Sequence, residues 1–511
     1  MLDIGAKDAL DADFDVVVIG GGVNGTGIAL DAAGRGLKVL LCEMNDLGGA
    51  TSSASSKLIH GGLRYLEQYD FGLVRKALKE RERLLRNAPH IMRPLRFRLP
   101  HRPHLRPAWM IRAGLFLYDN LARRLVSGPS HAIRFREKSP LKREMHCGYE
   151  YSDGWVDDAR LVVLLARGAK ALGAEIHPRT KCIAARREAG IWLVTLRNQQ
   201  TGEVLTRSCR TLVNATGPWV ESLFREVIDS SSPHSIRLVK GSHIVVPRLH
   251  DAPEAYILQN QDGRIVFVIP FEDVYSLVGT TDVDFDGDAT DVAISRDEID
   301  YLLSVINAHF MTQTTSNEIV WSYSGVRPLM DDDTTKAQMA SRDYELELDV
   351  GQAGNEAPLL SVFGGKITTY RILSEAAVDH LRGTFPGMGE RWTARNPLPG
   401  GAIESIDAFK AELEASYSWL PNKMLSRFAR SYGTLCHQFL SGCQSLDDLG
   451  QHIGDTLYEA EVRYLVELEW ARTSEDILWR RSKLGLHLTL KEIAVLEQIL
   501  ESILLQKTPY D

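Results

Sequence analysis

Cysteine is scarce in this sequence, and none of the six cysteines occurs in the C-x-x-C spacing of a zinc or dithiol site. Their scattered positions, from Cys42 to Cys443, are typical of reduced, structural thiols in a cytoplasmic protein and argue against a disulfide framework. No metal site is predicted either. His101, Arg102 and His104 lie close together in sequence, but no carboxylate or cysteine accompanies them.

Long apolar runs are also lacking. No stretch of eighteen apolar residues occurs, so a membrane-spanning helix is not expected. The first fifteen residues are acidic and have no apolar core, so they predict neither a signal peptide nor a transit peptide. The formal net charge of −8 argues against a general nucleic-acid binder. Any contact with a membrane is therefore expected to be peripheral.

The chain does have the length, 511 residues, for two or three domains, and it carries one strong motif near its start. Asp15–Glu43 combines a short apolar strand, a G-x-G-x-x-G turn (Gly20, Gly22, Gly25), an apolar helix and a second strand. This order predicts a dinucleotide-binding βαβ unit, in which the helix N-terminus faces a pyrophosphate and Glu43 accepts hydrogen bonds from a ribose. Because Glu43 would repel a 2′-phosphate, NADP is not expected. The alternative is a glycine-rich turn without a ligand. It is disfavoured because the strand, the glycine spacing, the helix and the acidic residue all match the motif.

The segment that follows, Thr51–Gly62, is rich in serine and glycine. Its hydroxyl and backbone N–H groups suit a diphosphate or the edge of a flavin ring. A flexible linker is the alternative, but the apolar anchors Leu58, Ile59 and Leu63 argue against it. Two later glycine turns, at Gly217 and at Gly364-Gly365, each follow an apolar strand, so the nucleotide-binding domain is expected to be discontinuous.

An arginine-rich region extends from Arg93 to Arg124, with eight arginines and a single acid, Asp119. Within it, Pro107–Leu125 predicts a helix with proline at its first position and apolar residues around most of its surface. Such a helix is either buried or lies in the interface of an anionic membrane, and the sequence favours the two alternatives almost equally. Beyond the boundary Asn396–Gly401, the chain predicts a separate helical domain without a strand pattern.

Nine motifs distributed along nearly the whole chain carry a resemblance to a known family. They are GGGVNGTGIALDAAGRG, ATSSASSKLIHGGLRYLE, FRLPHRPHLRPAWMIR, YSDGWVDDARL, LVNATGPW, KGSHIVVPR, VGTTD, YSGVRPL and LSVFGGKITTYR. In this order they resemble the bacterial aerobic FAD-dependent glycerol-3-phosphate dehydrogenases. The resemblance implies an α/β fold of the amino-acid-oxidase type: a discontinuous Rossmann-like FAD-binding domain (1–90, 150–235, 342–395), an antiparallel-sheet substrate and membrane-facing domain (91–149, 236–341) and a C-terminal helical domain (396–511).

The same resemblance implies an enzyme that oxidises sn-glycerol 3-phosphate to dihydroxyacetone phosphate, with electrons passing through FAD to ubiquinone or menaquinone. It places the protein peripherally on the anionic cytoplasmic face of the bacterial inner membrane, partly in the cytoplasm. A homodimer is one assembly compatible with it. No nucleic-acid partner and no metal are expected.

Candidate catalytic residues follow from the chemistry, because oxidation of a secondary alcohol phosphate needs a proton acceptor and cations. His243 is the first candidate base, and His60 or a perturbed arginine or lysine are alternatives. Arg327 suits bidentate binding of phosphate. The resemblance assigns catalytic roles to His243, Arg327 and Lys366, and substrate binding to Arg64, Tyr65, Arg327 and Arg342. Thr280, in the GTTD segment, is expected to donate a hydrogen bond to a substrate oxygen.

Residues of four separate segments are expected to bind FAD. The resemblance carries them over as follows: Gly20, Gly22, Gly25, Glu43, Thr51, Ser52, Ser56, Gly61, Gly217, Gly364, Gly365 and Thr368. The backbone N–H groups from Gly364 to Ile367, at a helix start, are expected to stabilise negative charge on a reduced flavin. Two other functions remain open from the sequence: an amine or amino-acid oxidase on the same fold, and a flavin redox sensor without turnover.

Overall fold

The computed structural model describes residues 12–63, 66, 70–102, 106–331, 343–351 and 356–506. The strands in this part of the chain are β1 (Phe14–Ile19), β2 (Val39–Cys42), β3 (Leu58–Ile59), β4 (Met92–Pro100), β5 (His131–Arg134), β6 (Cys147–Val156), β7 (Glu175–His177), β8 (Thr180–Glu188), β9 (Ile191–Asn198), β10 (Val204–Asn214), β11 (Ile236–Pro247), β12 (Ala255–Gln259), β13 (Ile265–Phe271), β14 (Tyr275–Gly279), β15 (Val283–Asp284), β16 (Trp321–Met330), β17 (Tyr344–Asp349), β18 (Leu359–Gly364), β19 (His452–Gly454) and β20 (Leu457–Tyr458). The α-helices are α1 (Val23–Gly34), α2 (Phe71–Asn87), α3 (Ala108–Asn120), α4 (Asp158–Ala171), α5 (Val220–Leu223), α6 (Arg296–His309), α7 (Tyr370–His380), α8 (Ile406–Ser416), α9 (Asn422–Tyr432), α10 (His437–Leu440), α11 (Glu459–Leu468) and α12 (Leu490–Gln506).

A first sheet has the strand order β17-β18-β10-β1-β2-β7, with β9 paired to β10 and β8 paired to β9. β1 pairs in parallel with β10 and β2, so that Val17 lies opposite both Leu212 and Leu40. Alternate residues of β1 point to opposite sides: Val16 and Val18 pack in the core that contains α1, α4 and α7, whereas Val17 belongs to the core on the other face. Because β18 enters from far along the chain, the predicted discontinuous Rossmann-like unit is confirmed.

A second sheet has the order β15-β11-β14-β13-β12-β4-β6-β3, with β16 on β11 and β5 on β6. Its pairings are antiparallel except for the parallel contact between β12 and β4. The predicted fold class, an FAD-binding α/β unit with an antiparallel-sheet part and a helical C-terminal part, is confirmed. The numerical domain boundaries stay a prediction.

The C-terminal part has its own apolar core, formed around α8, α9, α11 and α12. The expectation that it contains no strands is wrong in one detail, since β19 and β20 form a small antiparallel hairpin. Strands of three and two residues are too short to produce a visible alternation of apolar and polar residues, so the sequence pattern did not indicate them.

Helix α3 is shorter than predicted and begins one residue later. Pro107 is the N-cap, with φ −51° and ψ 138°, instead of the first helical residue. The helix ends at Asn120 because side chains elsewhere bind the backbone that follows it. The carboxylate of Glu82 accepts the N–H groups of Leu125 and Val126 at 2.7 and 2.8 Å, which holds these residues outside the helix.

A buried ion pair connects α7 with α2. The guanidinium of Arg371 donates to both carboxylate oxygens of Glu80, at 2.7 and 2.9 Å, and both side chains are at most 4% exposed. Arg371 also donates to Glu375 and to the hydroxyl of Thr393. Two distant segments are thereby joined by charges that water does not reach.

We predict that Glu80→Gln lowers the free energy of unfolding by about 3–5 kcal/mol, because it leaves part of the Arg371 charge uncompensated in the interior. The control is Asp300→Asn, which breaks the exposed pair between Arg296 and Asp300 and should leave the melting temperature nearly unchanged. Melting of both variants, followed by circular dichroism, checks this; equal shifts would show that burial of the Glu80 pair does not matter.

Candidate functional site

A cavity of about 1590 Å³ opens where the carboxyl ends of the first sheet's parallel strands meet the second sheet. Ile19, Cys42 and Gly364, which end β1, β2 and β18, all line it. On the other side its wall is formed by Thr280 and Arg327. Ligands of open parallel sheets bind at this edge, so the cavity is the candidate site.

The first glycine turn is closed by contacts that exclude side chains. Gly20 has φ +112°, and a Cβ there would lie 2.5 Å from the carbonyl oxygen of Ala215. A Cβ on Gly25 would lie 1.9 Å from the carbonyl oxygen of Gly20. Helix α1 therefore packs directly against the end of β1, and its first turn points at the cavity.

The N-terminus of α1 is well suited to an anionic group. Gly22 is the N-cap and has no side chain with which to cap the helix, and the N–H of Val23 donates to the hydroxyl of Ser52 at 3.0 Å. Gly22 and Ser52 both line the cavity. Backbone N–H groups and the helix dipole together favour a pyrophosphate at this point.

Glu43 follows β2 and lines the cavity beside the turn. One carboxylate oxygen accepts from the N–H of Gly21 at 2.7 Å, and the other accepts from the N–H of Asn45 at 2.8 Å. Burial raises the pKa of Glu43 above its usual value, although the two N–H groups oppose this. The carboxylate thus stands where the sequence motif requires an acceptor for ribose hydroxyls.

The serine-rich loop is tied to the structure on both sides, which excludes a flexible linker. Thr51 donates to the carbonyl oxygen of Val326 on β16 at 2.6 Å. Ser55 donates to Asp158, the first residue of α4, at 2.7 Å. The N–H of Gly61 lies 2.9 Å from the hydroxyl of Tyr118 on α3. The loop therefore spans the cavity between the two sheets and α3.

The later glycine turns also lie at the cavity. Gly217, Gly364 and Gly365 line it and have φ of +59°, +70° and +102°, which favour glycine. Asn24 on α1 donates to the carbonyl oxygen of Gly364 at 3.2 Å, and its own side-chain oxygen is buried without a partner in the described part of the chain. Thr368, in the short 3₁₀ turn before α7, accepts from the N–H of His60 at 3.2 Å. These glycine turns and hydrogen-bonding groups fit a dinucleotide that carries a ring system at one end.

Arg327 is held in place by its neighbours on the second sheet. Its guanidinium donates to Asp282 at 2.6 Å and to the hydroxyl of Thr280 at 2.9 Å. Gly241 makes this position possible, since a Cβ there would lie 2.4 Å from the Arg327 nitrogen. Lys366 lines the same cavity. Two cationic side chains are therefore brought to one site, and Arg327 is oriented before any ligand binds.

His243 lies behind the cavity wall. It is 1% exposed, its Nε2 is 2.8 Å from the hydroxyl of Ser56, and its ring stacks on Tyr323 with centroids 4.8 Å apart. Ser56 and His60 line the cavity, whereas His243 does not. Burial and the positive charges of Arg327 and Lys57 hold the pKa of His243 well below its usual value. His243 is thus a neutral imidazole that reaches the cavity through Ser56.

Glycines at the strand positions around His243 leave space for the imidazole and the serine-rich loop next to the second sheet. Gly279 lies opposite His243 in the β11–β14 pair, and a Cβ there would be 2.1 Å from the imidazole. Gly325 lies opposite Gly241 in the β11–β16 pair, and a Cβ there would be 2.7 Å from Ala54 of the serine-rich loop. The loop and the imidazole can therefore approach the sheet closely.

Sequence reasoning missed two residues at the site. Asp282 is the last residue of the VGTTD motif, and its partnership with Arg327 could have been inferred from the charge and spacing. Asp153, which lies 3.2 Å from the N–H of Gly61 and pairs with Arg81, gave no such signal. The predicted substrate residues Arg64, Tyr65 and Arg342 lie outside the described residues.

Comparison with known proteins gives two family matches. A family model described as FAD dependent oxidoreductase matches residues 15–371. A second model, described as the C-terminal domain of alpha-glycerophosphate oxidase, matches residues 391–506. Together they account for both the cavity-forming part and the helical C-terminal part.

Individual relatives resemble nearly the whole chain. The glycerol-3-phosphate dehydrogenase of Pseudomonas aeruginosa is 54% identical, covering 96% of this chain and 95% of the relative. The D-erythritol 1-phosphate dehydrogenase of Brucella abortus is 50% identical, covering 94% of this chain and 96% of the relative. The crystal structure of the glycerol-3-phosphate dehydrogenase of Bacillus halodurans complexed with FAD has a TM-score of 0.73 and 27% identity, covering 98% of this chain and 90% of that one.

We predict that the His243 imidazole stays neutral at pH 5, where a histidine of an unfolded chain is protonated. Below pH 6.5 the unfolded chain therefore binds one proton more than the folded chain at this residue. The free energy of unfolding should fall by about 1.4 kcal/mol per pH unit from His243 as the pH is lowered from 6.5. ¹⁵N-histidine NMR, with His243→Gln to assign the signal, checks this; an imidazolium signal at pH 5.5 would contradict it.

Proposed function

The chain belongs to the FAD-dependent oxidoreductase family, and on that premise we propose that it oxidises the secondary hydroxyl of sn-glycerol 3-phosphate to the ketone of dihydroxyacetone phosphate. Its cofactor is FAD, which supplies a hydride acceptor when bound. The observation that carries the proposal is the pair of cationic side chains, Arg327 and Lys366, in the wall of the cavity that the dinucleotide motif opens into.

Arg327 supplies the phosphate-binding group. Its guanidinium is planar and already oriented by Thr280 and Asp282, so little rotamer freedom is lost when an anion binds. Asp282 offsets part of the Arg327 charge. Lys366, which lines the same cavity, adds a second positive charge, and two cations together favour a phosphate dianion over a carboxylate monoanion. This argument favours a phosphorylated alcohol over the substrates of amine or amino-acid oxidases.

The hydroxyl proton needs an acceptor within reach of the cavity. Ser56 lines the cavity and shares a hydrogen bond with Nε2 of His243, so it can accept a substrate proton while donating its own to the imidazole. The low pKa of His243 keeps the imidazole neutral at neutral pH. In the tautomer that carries its proton on Nδ1, Nε2 is the acceptor of the Ser56 hydrogen bond. His60, which lines the cavity directly, is the alternative base.

We propose a membrane quinone, ubiquinone or menaquinone, as the electron acceptor. The cavity extends past the cofactor motif to α3, where its walls are apolar: Met110, Ile111 and Leu117 from α3, and Ile257 and Phe267 from the second sheet. An apolar arm of this kind suits a quinone ring and the start of its isoprenoid tail.

The outer face of α3 supports attachment to an anionic membrane on the cytoplasmic side of the bacterial inner membrane. Trp109 and Phe116 are 69% and 64% exposed, whereas Leu115, which the sequence placed with them, is fully buried. Arg106 lies just before the helix. None of the described helices combines the length and apolarity needed to cross a bilayer. The proposed attachment is therefore interfacial, through α3.

We predict that anaerobic addition of glycerol 3-phosphate bleaches the visible flavin band of the protein, and that Arg327→Ala raises the half-bleaching concentration about 100-fold, since charge-assisted hydrogen bonds of about 1.5–3 kcal/mol each are lost. FAD content should not change. Arg237→Ala is the control, because Arg237 pairs with the more exposed Asp284 on the same sheet and does not line the cavity.

The same titration separates the alternatives. D-erythritol 1-phosphate, the substrate class in the name of the Brucella relative, should bleach the flavin only at higher concentration. Bleaching by glycine or proline instead would indicate an amino-acid oxidase, and a yellow protein that no substrate bleaches would indicate a redox sensor. Either of these results, or an equal effect of Arg237→Ala and Arg327→Ala, contradicts the proposal.

We predict that the double change Trp109→Ser and Phe116→Ser weakens binding to phosphatidylglycerol vesicles about 30-fold or more, because two large apolar side chains no longer enter the interface. The control changes Met311 and Val320, which are also exposed but lie outside α3, to serine. Co-sedimentation with vesicles measures both. Unchanged binding of the α3 variant would mean that another surface contacts the membrane.

A further inference from the structure

One short segment of the C-terminal part, Asp476–Lys483, contacts the loop after β2 on one side and β16 of the second sheet on the other. It contains a π-helical turn, Asp476–Arg481, between α11 and α12, and we refer to it as the clamp segment. The C-terminal part is joined to the FAD-binding part by other buried pairs as well, such as Arg160 with Glu469. The clamp segment differs from these because its contacts lead directly to the cofactor motif.

Two arginines of the clamp segment bind one carboxylate, that of Asp46, in the loop after β2. Asp46 is 5% exposed and lies three residues beyond Glu43. Its oxygens accept from Nε of Arg480 at 2.6 Å and from Nη2 of Arg481 at 2.8 Å, and a second Arg481 nitrogen also donates. A buried carboxylate with three such donors has very little freedom to move.

A second carboxylate, Asp476, closes the cluster on the other side. It pairs with Arg480 and Arg179 and accepts the N–H of Arg472 at 2.7 Å. Burial alone would raise its pKa, but Arg179 and Arg481 among other groups hold it at about 2. The N–H of Arg179 donates to the carbonyl oxygen of Asn45 at 2.7 Å, so the cluster holds the loop by its backbone as well.

The loop after β2, which these contacts hold in place, is part of the cofactor site. The carboxylate of Glu43 binds the N–H of Gly21, and the N–H of Gly48 donates to the carbonyl oxygen of Gly21 at 3.0 Å. Asp46 lies between these two attachments. Its position therefore determines how Glu43 and the glycine turn face each other, although neither Asp46 nor the two arginines of the clamp segment line the cavity.

A contact to the second sheet comes from the same segment. Trp479 stacks on Trp321 of β16, with ring centroids 4.2 Å apart, and Trp321 lies 4.8 Å from Tyr323, on which His243 stacks. The clamp segment thus reaches the cofactor loop on one side and the strand of Arg327 on the other.

We propose that Arg480 and Arg481 are positioning residues for FAD: by fixing Asp46 they hold the loop of Glu43 in its binding conformation, so that the C-terminal part sets the affinity for a cofactor it does not touch. If the loop is released, only a fraction of the molecules is competent to bind, and the apparent dissociation constant rises in inverse proportion to that fraction. The proposal rests on FAD as the cofactor and not on the identity of the substrate.

The test measures FAD binding to the apoprotein by quenching of flavin fluorescence, without any substrate. Arg481→Lys keeps the charge but loses the fork on Asp46, and we expect a rise of about 10-fold in the dissociation constant. Arg427→Lys is the control, since Arg427, whose side chain is 16% exposed, forms a fork with the buried Glu461 inside the C-terminal part. It should lower the apoprotein melting temperature comparably and leave FAD affinity within about twofold of wild type.

Arg480→Lys provides a second variant should Arg481→Lys fold poorly, because Arg480 is 12% exposed and its side chain is easier to replace. At saturating FAD, both clamp variants should regain wild-type bleaching by glycerol 3-phosphate. An unchanged FAD dissociation constant in the clamp variants, or an equal rise in Arg427→Lys, would overturn the proposal. Failure of glycerol 3-phosphate to bleach the wild type, with FAD binding altered as expected, would refute the proposed substrate alone.

Discussion

The contact between Gly25 and the carbonyl oxygen of Gly20 leaves no space for a side chain, and the geometry of the whole site depends on it. This contact sets α1 directly on the end of β1, which aims the first turn of the helix into the cavity. The other cavity walls are then built around that point: the loop after β2, the serine-rich loop, and the turns after β10 and β18. A larger residue at Gly25 would move the helix and, with it, the donors for the pyrophosphate.

Buried charge pairs hold together segments that are distant in sequence. Lys57 in the serine-rich loop pairs with Asp158 of α4, Arg81 of α2 pairs with Asp153 of β6, and Arg160 of α4 pairs with Glu469. Such pairs contribute little net stability compared with apolar contacts. A wrong arrangement of these segments, however, would leave a charge in the interior without its partner. They therefore specify one arrangement of the loops around the cavity.

Local signals in the sequence were sufficient to predict the βαβ unit at the start of the chain. The order of strand, glycine turn, helix and acid is read within Asp15–Glu43, and the structure forms each element there. The burial of His243 and the ion pairs of Asp46 could not be predicted from the sequence. Both depend on residues that only the fold brings together, such as Ser56 and Arg481. The end of α3 was missed for the same reason, since Glu82 on another helix competes for the backbone after Asn120.

The glycines Gly241 on β11, Gly279 on β14 and Gly325 on β16 restrict how the substrate range can be redesigned. At Gly241 and Gly279 an added methyl group would collide with Arg327 or His243. Libraries that introduce bulk at these positions will therefore yield inactive protein before they yield new selectivity.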